Sequence, residues 1–460
     1  MRYFLPLLLL PFLCTCASAP SASNAEVADR TTGYSDTTAV ANIQSGPMLG
    51  YNELREVLIW VQLTAPAEVK IAYTNDAGQR YETETTTTER SAAHTAKLVA
   101  DQVQPGEHYT YEVVIDGVAQ ALPYPTEFTT QSLWRYRGDA PDFTVAIGSC
   151  TYVNEARYDR PGKGYGNSYD IFTAIDQKNP DLMLWLGDNM YLREPDWSTR
   201  TGYQHRYTHT RSLPEMQPLL ARTHHYAIWD DHDYGPNNSD RSWRHRDLAK
   251  ETFDQFWGNP TSGLVESERN TGAAGITTKF RYNDVDFFLL DNRSFRTPND
   301  QVRGDNKTLL GRAQLDWLIE SLVFSDAPWK MVCVGGQVLN TAAVFENYVN
   351  LAPEELWYLL ARISEENISG VVFLTGDRHH TELSEFKLAN GEMVYDVTIS
   401  PLTAGVAGNE TEDNKDRVEG TFLAKNNFGL LSFTGPESAR RLVVETFGTD
   451  GELAWRRELR

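Results

Sequence analysis

Six apolar segments in the second two-thirds of the chain each run straight into residues able to bind a metal or an anion. Segment 143–147 leads to Gly148-Ser149-Cys150, 182–186 to Gly187-Asp188-Asn189-Met190-Tyr191, and 227–229 to Asp230-Asp231-His232-Asp233. Segment 287–290 leads to Asp291-Asn292-Arg293, 332–334 to Gly335-Gly336-Gln337, and 371–374 to Thr375-Gly376-Asp377-Arg378-His379-His380. Helical patterns at 169–177, 246–257, 311–322 and 353–364 lie between them. Strands alternating with helices predict an α/β layered domain. Ligands of such folds gather at the carboxyl ends of the strands. One polar residue after a strand is usually a turn, but six such ends on one rim predict a site.

The stretch before this reads differently. Segments 57–61, 69–73, 96–99 and 109–115 are short alternating strands separated by Asn75-Asp76-Ala77-Gly78, Pro105-Gly106 and Asp116-Gly117. Their spacing predicts an all-β sandwich over 43–130. Within it, 98–118 resembles the end of a fibronectin type III domain, where a Pro-Gly turn precedes a Tyr-x-Tyr strand. A chain of 460 residues has room for two or three domains. The α/β domain is expected over 142–460, and 20–42, rich in Ser, Ala, Thr and Asn, is expected to be a flexible linker.

Residues 1–19 carry Arg2, a short apolar run over 3–13 and then small residues, the pattern of a signal peptide. Leu13-Cys14-Thr15-Cys16 also resembles a bacterial lipobox, which would anchor the chain to a membrane through a lipid on Cys16. The expected location is therefore outside the cytoplasm: periplasm, outer surface or medium. Net charge is −21, from 63 acidic against 42 basic residues. That argues against a nucleic-acid binder, whose affinity rests on clustered Lys and Arg. Only Cys150 and Cys333 remain beyond the export segment, too few for a disulfide framework. Cys333 reads as a small core residue in mid-strand.

Two adjacent cations need a bridging carboxylate on a rigid element with little bulk beside it. Asp188, directly after Gly187, suits that role, and Tyr191 could return to the same metal as a phenolate. Asp231 and Asp377 are further oxygen ligands and His379 offers nitrogen. A Cys150 thiolate favours iron or zinc, while the carboxylates favour calcium, magnesium or manganese. His232, between two carboxylates, is placed to hydrogen-bond a phosphoryl oxygen or protonate a leaving group. Arg157 or Arg160, Arg293 and Arg378 are candidate phosphate clamps, and Asn189 a further substrate contact. His224, His225 and His380 are expected near the rim too, supporting the ligands or the fold rather than binding metal directly. Ser149 lies in no Gly-x-Ser-x-Gly elbow, which argues against a serine nucleophile.

Gly187-Asp188-Asn189-Met190-Tyr191 resembles the Gly-Asp-x-x-Tyr motif of purple acid phosphatases and calcineurin-like metallophosphoesterases. Asp231-His232-Asp233 falls at their Asn-His-Glu/Asp, Val334-Gly335-Gly336-Gln337 at their Val-x-x-His, and Gly376-Asp377-Arg378-His379 at their Gly-His-x-His. With Cys in the first motif, Asp-Asp-His, and Gly-Asp-x-His, the combination is similar to the alkaline phosphatase D (PhoD-like) family. Arg293 matches a Leu-Asp-x-Arg segment common there. The resemblance implies a four-layer α/β/β/α domain preceded by a fibronectin III/Ig-like sandwich. It implies Fe3+ with Ca2+, placing Cys150, Asp188 and Tyr191 on iron and Asp377 on calcium. Asp231 stands where relatives often have Asn, and Gln337 replaces a His ligand of the wider superfamily.

The expected activity is hydrolysis of phosphate mono- and diesters by a metal-activated water, in a monomer acting on small molecules. One alternative is a phosphodiesterase or phospholipase with little monoesterase activity, its pocket walls drawn from 192–222 and 258–279. Another is a catalytically silent surface lipoprotein, which the intact carboxylate set disfavours.

Overall fold

Period-two alternation sorts the strand side chains into two cores. In Val285–Leu289, Trp329–Val334 and Val371–Thr375, the residues Phe287, Leu289, Met331, Cys333, Val372 and Leu374 enter one core. Their sequence neighbours Phe288, Val332, Val334, Val371 and Phe373 enter the other. The second core is closed by the helices Arg312–Phe324 and Pro353–Glu365 through Leu315, Leu318, Leu356 and Leu359. The first is shared with a second large sheet, and includes Val145, Ile147, Leu184, Leu186, Ile228 and Leu431. Ile171, Phe172 and Ile175 of the helix Asp170–Gln177 join it too. The layers are thus helix, sheet, sheet, helix.

The computed structural model describes residues 41–261, 263–264, 275–301, 307–344 and 346–460. The export segment, Cys16, nearly all of the linker and part of 258–279 lie outside these. No helix among the described residues is long and apolar enough to cross a membrane. The larger sheet runs in the order Leu453–Leu459, Arg441–Gly448, Asn427–Thr434, Phe143–Gly148, Leu182–Leu186, His224–Ile228, Ile43–Asn52, Val57–Leu63, Thr95–Ala100. The smaller runs Thr278–Tyr282, Val285–Leu289, Trp329–Val334, Val371–Thr375, Met393–Thr398, Glu382–Lys387. Phe143–Gly148, Leu182–Leu186 and His224–Ile228 are mutually parallel, as are the four central strands of the smaller sheet. Their carboxyl ends therefore meet on one rim, as the strand-end pattern implies.

An all-β region at 43–129 precedes the α/β region, with its own core of Leu49, Ile59, Val69, Ile71, Tyr109, Val113 and Phe128. Its sheet is not separate, however. Ile43–Asn52 pairs parallel with His224–Ile228 and antiparallel with Val57–Leu63, so one face of the sandwich continues the larger α/β sheet. Alternation serves both sides. Leu49 and Ile59 fill the sandwich, while Met48 and Trp60 fill the α/β core. The seam is tied by the Asn52 N–H donating to Tyr226 Oη (3.0 Å), and the Tyr111 hydroxyl donating to the Ala221 carbonyl (2.6 Å).

Candidate metal centre

Cys150, Asp188, Asp377 and His379 all hold the left-handed backbone region, at φ of 60°, 51°, 69° and 55°. That conformation costs a non-glycine residue roughly 1–2 kcal/mol, and strain of this kind gathers at functional sites. Gly187 makes the turn before Asp188 feasible. Its φ is 93°, and a Cβ there would lie 2.8 Å from Asp230 Cβ. The strand ends are stitched by their own backbones: Cys150 N–H donates to the Gly187 carbonyl (3.2 Å) and Thr151 N–H to that of Asp188 (2.7 Å).

The ligand atoms form two close groups. Cys150, Asp188 and His379 make one, and Asp188, Asp231 and His232 the other, with all atoms of each group within 4.8 Å of one another. Asp188 belongs to both. Cys150 Sγ lies 3.8 Å from Asp188 Oδ2 and accepts from the Ser400 hydroxyl at 3.2 Å. Asp188 Oδ1 accepts the His232 backbone N–H (3.2 Å). His379 turns Nδ1 to the Gly405 carbonyl, which places its proton there and leaves Nε2 free to accept, 3.2 Å from the Tyr191 hydroxyl. The Tyr191 ring packs on His232 with centroids 4.3 Å apart.

The electrostatics are those of an acidic cluster short of cations. Burial pushes the Cys150 thiol up to about 12, with the Asp377 charge adding to it. Burial raises Asp188 well above the carboxylate range, reinforced by Asp231 and Cys150. Asp377 is raised likewise by burial and by Asp230, Glu346 and Asp231. Asp231 goes the other way, since His232, Arg293 and the Asn238 N–H (2.6 Å) outweigh its burial. Asp230 Oδ2, Asp231 Oδ1 and Asn292 Oδ1 are buried acceptors without a donor among the described residues. A surplus of buried acceptors around one shared carboxylate is the donor set that hard or borderline cations complete.

A family model described as PhoD-like phosphatase matches residues 145–435. The chain belongs to the PhoD-like phosphatase family. A second family model, a domain of unknown function (DUF7800), matches residues 40–133. Alkaline phosphatase D of Bacillus subtilis (strain 168) is 23% identical over 339 residues, which is 63% of this chain and 54% of that protein. The match therefore spans about half the length of that relative. A solved structure of PhoD superposes with a TM-score of 0.70 at 18% identity, over 91% of this chain and 93% of that one. Purple acid phosphatase PPD1 from yellow lupin (Lupinus luteus) seeds gives 0.63 at 13% identity, over 90% of this chain and 74% of that one. Both are likenesses of fold.

The arginines of this PhoD-like chain sit otherwise than expected. Arg293, 1% exposed, is spent on Asp230 and on Glu346 (3.4 Å), and also donates to the Ser239 carbonyl (3.3 Å). It braces the Asp230-Asp231 turn from within the buried rim. Arg378 is also engaged, with Nη2 donating to both Glu412 oxygens (2.9 and 3.0 Å) and Nη1 to Gln337 Oε1 (2.7 Å). Arg157 is exposed and stacks on Tyr158. Asn189 is buried, with Nδ2 donating to the Ile228 carbonyl (2.7 Å). Gln337 also donates to Glu382 (2.8 Å) and braces the final strand end. His224 and His225 begin the strand whose far end carries Asp230, well away from the rim.

Sequence reasoning passed over three contributors. Asp230 receives Asn292 Nδ2 (2.7 Å) and the Arg293 guanidinium, and Asp233 accepts the backbone N–H of Asp230 (2.9 Å) and of Asn189 (3.0 Å). Both stood in the Asp230-Asp231-His232-Asp233 motif without a role. Tyr165, its hydroxyl 3.1 Å from His379 Nδ1 and its ring T-shaped to Tyr152, overhangs the centre from an irregular glycine-rich loop. No periodicity there could have pointed to it.

Proposed function

We propose that this chain is a metal-dependent phosphoric ester hydrolase. The observation that carries the reading is Asp188 standing in both ligand groups, as a carboxylate bridging two cations must. Cys150, Tyr191 and His379 suit iron on one side of it. Asp231 suits a harder cation such as calcium on the other, with Asp377 nearby. Bound cations would supply the charge that holds the phosphoryl oxygens and acidifies the attacking water. His232, half-buried on the Tyr191 face, is the group placed to give a proton to the departing oxygen. Its ring nitrogen is itself one of the three ligand atoms of the second group, so metal analysis of a His232 variant decides between proton donor and ligand. The export segment read in the sequence supports an activity outside the cytoplasm.

One observation favours diesters over monoesters. Arg293 and Arg378 are both neutralised by carboxylates, so neither meets the second negative charge of a monoester. Turnover of nitrophenyl phosphate and of bis-nitrophenyl phosphate should be compared on protein whose metals have been measured. The expected result is hydrolysis of both, with the diester at least as fast. Metal-replete protein that cleaves neither would overturn the assignment.

A further inference from the structure

Glu346 belongs to none of the strand-end motifs, yet it stands among them. It lies in the loop between the strand Trp329–Val334 and the short helix Tyr348–Leu351, with 11% of its side chain exposed. Its Oε1 accepts from Arg296 Nη2 (2.7 Å) and Asn299 Nδ2 (2.6 Å), and its Oε2 from Arg293 Nη2 (3.4 Å). Both arginines are buried beneath it. Arg293 also carries Asp230, the neighbour of the ligand Asp231. Two guanidinium charges therefore meet two carboxylates, Asp230 and Glu346, and cancel beside the metal ligands. Glu346 also acts across the rim on Asp377, whose carboxyl it helps to raise.

The loop is built to hold this carboxylate in place. Glu346 takes a φ of 66°, in the left-handed region that residues with a Cβ avoid. On its far side the Tyr348 N–H donates to the Gln337 carbonyl (2.9 Å), and Asn347 Nδ2 donates to the carbonyls of Asn340 (3.0 Å) and Ala342 (2.9 Å). A Cβ at Gly336 would lie 3.1 Å from the Glu346 carbonyl oxygen and would crowd it. Resting on the ester-hydrolase reading above, we propose that Glu346 sets the charge of the substrate. By balancing Arg293 and Arg296 it suits the centre to the single negative charge of a phosphodiester and turns away the second charge of a monoester. Without Glu346 the arginine pair keeps one positive charge, which a dianion meets in a buried rim where charges are poorly screened.

The full-length, metal-loaded Glu346→Gln variant tests this. Glutamine still accepts from Arg296 and Asn299 but carries no charge. Its kcat/KM for nitrophenyl phosphate should rise roughly tenfold relative to bis-nitrophenyl phosphate. In calorimetry, inorganic phosphate should bind about tenfold tighter while dimethyl phosphate binds as before. Arg296→Gln subtracts a positive charge and should move both readings the other way. A loosened loop would weaken both esters together in both variants, so opposite signs report charge. If Arg296→Gln does not fold, the two readings on Glu346→Gln still decide. Loss of metal from Glu346→Gln would make Glu346 part of the metal scaffold and overturn the proposal. So would an unchanged ester ratio and phosphate affinity in that variant when the parent protein is active. A parent protein that cleaves neither ester overturns the hydrolase reading itself, and the role of Glu346 with it.

Discussion

Asp188 and His232 are joined by one hydrogen bond, yet their side chains should fail differently. Asp188→Asn removes the carboxylate common to both ligand groups, so metal content and turnover should fall together. His232→Ala should leave metal content nearly unchanged while turnover drops by about 10²–10⁴, the usual worth of one general acid–base group. The penalty should shrink for substrates with good leaving groups. Metal analysis beside leaving-group series separates the cases. An emptied site in His232→Ala makes His232 a ligand and sinks the division of roles. Cys150→Ser should lower iron selectively and weaken the visible band expected of a Tyr191 phenolate on ferric iron. Protein holding only zinc, without that band, would count against the iron assignment.

At the scale of strands and turns, Gly187 shows how tightly the rim is drawn. Gly187→Ala adds a Cβ 2.8 Å from Asp230 Cβ and 3.0 Å from its backbone nitrogen, at a φ of 93°. It should displace Asp188 and Asp230 together, and lose metal and melting temperature in the same variant. Retained metal at wild-type stability would show that the turn has slack. The strand His224–Ile228 carries a pH dependence at its other end. Burial lowers His224 to about 4 and His225 to about 3. His225 Nδ1 accepts from Trp185 Nε1 (2.9 Å) and its Nε2 faces the Leu219 carbonyl (3.1 Å), an arrangement that uses the neutral ring. The unfolded chain takes up these protons near pH 6.5 and the folded one only far lower. Stability is therefore full above about 6.5 and is lost as pH falls toward 4, by roughly 1.4 kcal/mol per pH unit for each ring. His225→Gln, which can still accept from Trp185, should flatten the loss between pH 7.5 and 5 in urea melts. An unchanged slope would place the acid sensitivity elsewhere.

These elements also show what was legible. The six strand ends and their ligands could be read because apolar runs ending in Asp, Cys or His stand out at any fold. The helix Arg200–Arg211 could not. It buries Gly202, Gln204, Arg206, Thr210 and Arg211, so its packed face looks polar in sequence. The strand Ile43–Asn52 was equally hidden, since Gly46-Pro47 and Gly50 interrupt its apolar alternation. Gly50 is needed because the backbone of Gly258 passes against it, where a Cβ would lie 2.9 Å from the Gly258 carbonyl oxygen. The partners of the arginines were hidden for a related reason. Sequence shows that Arg293 and Arg378 reach the rim, but not that Asp230, Glu346 and Glu412 arrive there to neutralise them.

For the whole molecule, the hidden strand changes what the N-terminal region is for. Read from sequence, 43–130 is a separate sandwich domain whose removal exposes interdomain surface but leaves metal binding to residues from about 140 onward. In the structure Ile43–Asn52 lies inside the larger sheet, between His224–Ile228 and Val57–Leu63. Removing 43–130 would strip Met48 and Trp60 from the α/β core. It would also leave Tyr226 without its backbone donor and bare the edge of a strand whose far end holds Asp230. An unprotected apolar edge invites pairing between chains. A chain starting at 131 should therefore be insoluble, or soluble only as aggregates with little bound metal. Supplying 41–130 as a separate polypeptide in the same cells should restore soluble protein, because the missing strands can pair back into place. Size-exclusion chromatography with metal analysis of both preparations decides it. A monomeric truncated chain with full metal content would mean that the shared sheet is dispensable and that the centre rests on the α/β layers alone.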